Sequence, residues 1–223
     1  MGLGPCTIAH IKAYRPQSSS IENGQVLHCP YTAEKTRLIV KEMTDLMTLD
    51  LVDKRLVTDQ IVLTVGYDIE NLTDPDRYRK YKGSVTIDRY GRKVPKHAYG
   101  TNKPEKEDII YMLITDAVME LYDRIVDKNL LIRRINITAN KLVDESFSKE
   151  DETYEQLDLF TDYTVKEQEQ AEEEAVLERE KRMQQTMLTI KKKFGKNAIL
   201  KGMNLQDGAT AKDRNEQIGG HKA

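Results

Sequence analysis

The chain has 223 residues, 39% of them hydrophobic and 32% charged, with no Trp and three Phe, which reads as one soluble domain with polar appendages. Its net charge of −2 comes from 35 basic and 37 acidic residues that are segregated along the chain rather than mixed. No apolar run approaches the roughly 20 residues of a membrane span, and the start, Met1-Gly2-Leu3-Gly4-Pro5, lacks the regions of a signal peptide, so no membrane partner and a cytoplasmic location are expected. Cys6 and Cys29 are too few for a disulfide framework, and with His10 and His28 they do not make a zinc site.

From Tyr14 to Pro30 the chain is polar and turn-rich up to the short apolar group Val26-Leu27, the pattern of a linker running into an edge strand. Thr32 is placed to cap a helix over about Ala33 to Lys54, with Glu34 in its first turn and Ile39, Met43 and Leu46 at helical spacing. Ile61, Leu63, Val65 and Tyr67 alternate with Val62, Thr64 and Gly66, which predicts a strand with one buried face. A loop is expected over Asn71–Asp76. The nearby acids Asp68, Glu70, Asp74 and Asp76 lack EF-hand spacing and read as loop solubility.

A second strand is expected at Ser84–Asp88, followed by an irregular basic loop from Arg89 to Asn102 punctuated by Gly91, Pro95 and Gly100. Pro104 and the acids Glu105, Glu107 and Asp108 open a helix whose apolar stripe is Ile110, Leu113, Ile114, Ala117, Leu121 and Ile125. In the closing strand, Ile135, Ile137 and Ala139 point at helices, and Arg134, Asn136 and Thr138 at an open polar face. The order is β-α-β-β-α-β. This is an α+β fold of the split βαβ kind, two helices on one face of a four-stranded sheet. Beyond it come an acidic linker and a long charged helix from about Lys166 to Lys193, ended by Gly195, with apolar positions too sparse for more than weak packing or packing on a partner.

Charge and a short peptide carry the functional signal. Arg77 to Lys103 holds nine basic residues against the single acid Asp88, with Tyr78, Tyr81, Tyr90 and Tyr99 interleaved, as a polyanion-binding surface requires. Asp144 to Glu180 is acidic, and Lys181 onward is basic again through Lys191, Lys192, Lys193, Lys196 and Lys201. Within the acidic linker, Gln156-Leu157-Asp158-Leu159-Phe160 offers one amide anchor and three apolar plugs, the composition of a docking peptide. An apolar turn tucked onto its own domain is the rival reading of these five residues.

Together these stretches resemble the C-terminal portion of a bacterial Y-family translesion DNA polymerase of the UmuC-like ImpB/MucB/SamB branch. The similarity runs through Tyr14–Ser20 and Gly24–Leu27, Leu63–Asp68, Tyr81–Gly83 with Arg89–His97, Ile132–Asn140, the pentapeptide, and the tail Phe194–Gly202 with Ile218–His221. It divides the chain into the end of a thumb and a tether (1–17), a DNA-binding little finger (18–144), a linker with a peptide for the bacterial sliding clamp (145–165), and a charged helix with a basic tail (166–223). With the charge pattern, it implies DNA contacts at Lys82, Arg89, Arg92, Lys93, Lys96, His97, Arg134, Asn136, Thr138 and Ser19, and clamp contacts at Gln156, Leu157, Asp158, Leu159 and Phe160.

The same resemblance implies that Met1 falls after the palm, fingers and thumb of such an enzyme. No catalytic residue and no cofactor are therefore expected here, the Mg²⁺ ions of phosphoryl transfer belonging to the palm. DNA held by its backbone, without sequence preference, is then the expected ligand, in DNA repair past damaged templates. A stand-alone clamp- and DNA-binding adaptor without polymerase activity is the alternative. An RNA binder is a third reading, disfavoured because the last strand carries no paired aromatics on its open face.

Overall fold

Alternation of polar and apolar residues makes a strand only where the two faces meet different surroundings, and β1 (Ile21–Tyr31) shows how far that condition extends. It begins five residues before Val26, because Asn23 finds the Met43 carbonyl (3.3 Å) and Gln25 finds Thr210 Oγ1 (3.0 Å) on the helix side. The computed structural model describes residues 20–58, 60–103, 111–145, 163–218 and 221–222. Residues 1–17, Ser19, residues 104–110, where the sequence predicts a helix start, and Gln156, Leu157, Asp158, Leu159 and Phe160 lie outside the described residues.

Helix α1 (Ala33–Lys54) has the bounds that its caps dictate: Thr32 Oγ1 accepts the Lys35 N–H (3.3 Å), and Arg55, at φ 54°, turns its own N–H back to Leu51 and Val52. The short β2 (Leu56–Val57) leads to β3 (Gln60–Tyr67), which buries Ile61, Leu63, Val65 and Tyr67. The expected loop at Asn71–Asp76 is instead two short helices, α2 (Glu70–Thr73) and α3 (Pro75–Lys80). Two of the acids read as solubilising accept backbone N–H groups at the helix starts, Asp74 as the N-cap of α3. Asp68 Oδ1 accepts the Glu70 N–H (2.8 Å), and Asp74 Oδ1 accepts those of Asp76 (3.0 Å) and Arg77 (2.8 Å). The buried Asn71 fixes the pair by bonding the Leu131 backbone at both its N–H and its carbonyl.

The next element departs from expectation. Of Ser84–Asp88 only β4 (Val85–Ile87) is strand. It pairs with β5 (Lys93–Pro95) in a separate hairpin whose β4 residues are largely exposed, so it has no core face to contribute. The remaining strand of the main sheet is β6 (Ala98–Asn102), inside the stretch expected to be an irregular loop. Gly100 misleads there. A Cβ on it would lie 2.7 Å from Leu121 Cδ1 and 2.8 Å from Ile125 Cγ2, so the glycine lets a helix approach the strand rather than breaking it.

After α4 (Tyr111–Ile125) and β7 (Ile132–Asn140) the sheet order is β1-β7-β3-β6, every neighbour antiparallel. β1 and β3 are therefore parallel with β7 between them, and β6 and β7 are parallel with β3 between them. Each helical crossover spans one inserted strand, which is the split βαβ plan. α1 and α4 cover one face. Ile39, Met43 and Met47 of α1 and Ile114, Val118 and Leu121 of α4 meet Leu27, Leu63, Val65, Ile135 and Ile137 in a single core.

Tyr122 and Tyr67 anchor the core by their hydroxyls: Tyr122 donates to the Ala33 carbonyl (2.6 Å), and Tyr67 accepts the Asp127 N–H (2.9 Å). Burial pushes both phenols above their ordinary range. A raised folded-state value means that the neutral phenol stabilises the fold below the unfolded value near pH 10, and that this contribution is lost as pH rises through the folded value. The thermal midpoint is expected to fall steadily above pH 10. Tyr122→Phe should cost about 1 kcal/mol of stability at pH 7 and flatten the alkaline decline. Circular-dichroism melts from pH 7 upward check this, and an equally steep decline in the Phe variant would show that another group titrates.

β8 (Val143–Asp144) pairs with β2, and α5 (Tyr163–Phe194) follows, three residues longer at its start than the charge pattern suggests. It ends at Gly195, φ +99°, a left-handed position natural for glycine. The helix is not left waiting for a partner: Glu180, Gln184 and Met187 are buried. The tail then folds back over α1 and β1 as a strap through a 3₁₀ turn (Gly202–Leu205) and α6 (Ala211–Asn215).

Candidate nucleic-acid interface

The face of the sheet away from α1 and α4 is built of cross-strand rows fixed by the register. One row runs Val26, Arg134, Gly66; the next runs Gly24, Asn136, Thr64, Tyr99; the third runs Glu22, Thr138, Val62, Thr101. Arg134, Asn136 and Thr138 thus lie on the open face, as the alternation of β7 requires. Two glycines make room for the side chains beside them. A Cβ at Gly24 would fall 3.0 Å from Asn136 Oδ1, and one at Gly66 would fall 3.3 Å from Arg134 Cβ.

The hairpin β4–β5 adds cations at the end of the sheet where Arg134 sits. Lys96-His97 connects it to β6, whose Ala98 pairs with Val65, one residue before Gly66 in the Arg134 row. Its loop is organised by Asp88, which accepts the N–H groups of Tyr90 (2.9 Å) and Arg92 (2.9 Å), with Gly91 at φ +77°. Those bonds, the one from the Arg92 backbone foremost, hold the Asp88 carboxyl below the usual carboxylate range. The Arg92 guanidinium also closes on Asp88 (2.7 Å), so Arg92 is neutralised where the sequence suggested a free cation. Tyr90 is flanked by Arg89 (4.7 Å) and Arg92 (5.1 Å), both over its ring.

Among the described residues Lys82, Lys93, Lys96 and Arg134 form no ion pair. Lys93, Lys96 and His97 are exposed along the hairpin and its exit. Lys82 stands elsewhere, in a cleft of about 710 Å³ that it shares with Asp74, Asp76, Arg77 and Asp127, a wall of mixed sign. The second basic block behaves differently. Lys191 donates to the carbonyls of Lys196 (2.8 Å) and Ile199 (3.0 Å), Lys192 pairs with Asp53, and Lys201 pairs with Asp45 (2.5 Å). Lys191 and Lys201 thus hold the tail down and Lys192 ties α5 to α1, so these three cations of the second block are spent on contacts within the fold.

Sequence reasoning missed Gly24, Gly66 and Tyr99 as members of this face. The first two carry no side chain to flag, and Tyr99 was hidden inside the stretch read as a loop. Among the described residues no group of His, Cys, Asp or Glu side chains is arranged to hold a metal ion, and no helix is long and apolar enough to cross a membrane. No family model matches the chain, and no curated protein matches it.

Proposed function

We propose that the domain grips DNA by its sugar–phosphate backbone, as the little-finger region of a translesion polymerase of the Y family, UmuC-like branch, and that Gln156–Phe160 tethers it to the bacterial sliding clamp. The observation that carries the reading is the placing of Lys93, Lys96 and Arg134, cations without an ion pair among the described residues, toward one end of an open sheet face. Such contacts hold a duplex without reading its sequence, which suits an enzyme that must pass a damaged base. On this reading the chain binds and positions, and phosphoryl transfer with its Mg²⁺ is the work of a palm domain outside this sequence. The alternative is an adaptor that binds clamp and DNA without any polymerase. The two part on whether nucleotide incorporation accompanies the chain.

The clamp half of the proposal rests on the peptide alone. Replacing Gln156, Leu159 and Phe160 by Ala is expected to abolish binding to sliding clamp loaded on primed DNA while leaving affinity for free DNA unchanged, because a tether adds effective concentration and not DNA contacts. Clamp binding that survives the triple substitution would remove the tether.

A further inference from the structure

We infer that Tyr99 is a stacking platform for an unpaired base, so that the open face holds single-stranded DNA next to the duplex backbone. The inference deepens the DNA-gripping reading and rests on it for the identity of the polymer.

The direction of Tyr99 follows from its neighbours. Gly100 lies under Leu121 and Ile125, and Asn102 donates to the Ala117 carbonyl (3.2 Å), so both face α4. Strand alternation then turns Tyr99 and Thr101 to the open side. Tyr99 is 61% exposed there, although an aromatic ring in a strand ordinarily covers a neighbour. Its own row offers little to cover: Thr64 is small, Asn136 is polar, and Gly24 is bare. The row spans three inter-strand spacings, about 14 Å, from the ring to the glycine.

Chemistry selects the occupant. A flat ring beside exposed cations that have no acid to answer them is the combination that single-stranded nucleic acid uses: phosphates on the cations and a base on the ring, whatever its sequence. Arg134 stands in the adjacent row, and Lys96-His97 immediately precedes β6. Tyr90, the other exposed ring of the basic block near this end, already has Arg89 and Arg92 over it. Tyr99 has no such partner among the described residues, which leaves its ring for a ligand.

The test uses the full chain and DNA carrying 2-aminopurine at successive positions of a short single-stranded overhang beside a duplex, with the blunt duplex as control. The wild-type protein is expected to change the 2-aminopurine emission at one overhang position. Tyr99→Ala should abolish that change and weaken overhang binding about tenfold while blunt-duplex affinity stays the same, and Tyr99→Phe should retain both. If Tyr99→Ala keeps the emission change and the overhang affinity, the platform is wrong while backbone gripping stands. If the wild-type protein binds neither DNA, the gripping reading itself falls and takes the platform with it.

Discussion

Glu42→Ala is expected to destabilise the protein by about 3–5 kcal/mol, the largest effect of any single substitution considered for this chain. Glu42 is fully buried in α1, and its carboxylate accepts four bonds from the strap: Asn204 Nδ2 (2.8 Å), the Thr210 N–H (2.8 Å), the Ala211 N–H (3.1 Å) and, at the limit of reach, the Thr210 hydroxyl (3.5 Å). Arg214 belongs to the same cluster. It donates to Asn23 Oδ1 (2.8 Å), its Nη1 is buried without a partner, and burial pulls its guanidinium below the ordinary range while the Glu42 charge opposes that shift. Alanine at 42 would leave two backbone donors and an amide without an acceptor, and a buried cation without its nearest anion.

The exposed pair Lys35–Asp207 (2.7 Å), which also pins the strap, cannot replace this, because water screens an ion pair so open to solvent. Urea denaturation of the two variants separates the cases: Glu42→Ala should lose several kcal/mol, and Asp207→Ala should lose almost nothing. The strap should also become the first segment cut in limited proteolysis of Glu42→Ala, since it would open before the core does. A loss below about 1 kcal/mol for Glu42→Ala would mean that the strap is not held through this carboxylate.

Combining Lys93→Ala, Lys96→Ala and Arg134→Ala should weaken duplex binding by two to three orders of magnitude near 0.1 M salt. It should also reduce the slope of log affinity against log salt by about 2.7, at roughly 0.9 per phosphate contact. Among the described residues no acid pairs with these three cations. Arg92→Ala is the informative contrast. Its charge is already matched by Asp88, so its loss should loosen the hairpin loop and change the slope by less than one contact. Fluorescence anisotropy across a salt series gives both numbers. A triple variant with the wild-type slope would move the DNA surface off this end of the sheet, and the cleft around Arg77, Lys80 and Lys82 would be the next place to look.

Local elements were readable where the determinants sit within a few residues of one another. Thr32, Glu34 and the spacing of Ile39 and Met43 fix α1 to the residue, and the alternation of Ile61 to Tyr67 fixes β3, because capping and periodicity are short-range. The open face of β7 was legible for the same reason. The third strand of the sheet was not. Ser84–Asp88 has the better strand composition, yet β6 wins the place because Gly100 lets α4 pack on it, and no local pattern encodes that contact. Asn71–Asp76 failed similarly, since Asn71 draws its partners from Leu131, 60 residues on.

The sequence by itself determined the α+β class, the segregation of charge into three blocks, and which side chains share a strand face, all of which follow from residue type and a period of two or 3.6. Only the tertiary structure decided the strand order, the hairpin that carries the cations, the neutralisation of Arg92 by Asp88, and the use of the second basic block as glue. It also decided the fate of Glu42, whose partners on the strap include a backbone N–H 168 residues away. The physical reason is common to these cases: a charge is free or spent according to what folds against it, and that partner is set by chain closure over long separations rather than by its neighbours in sequence.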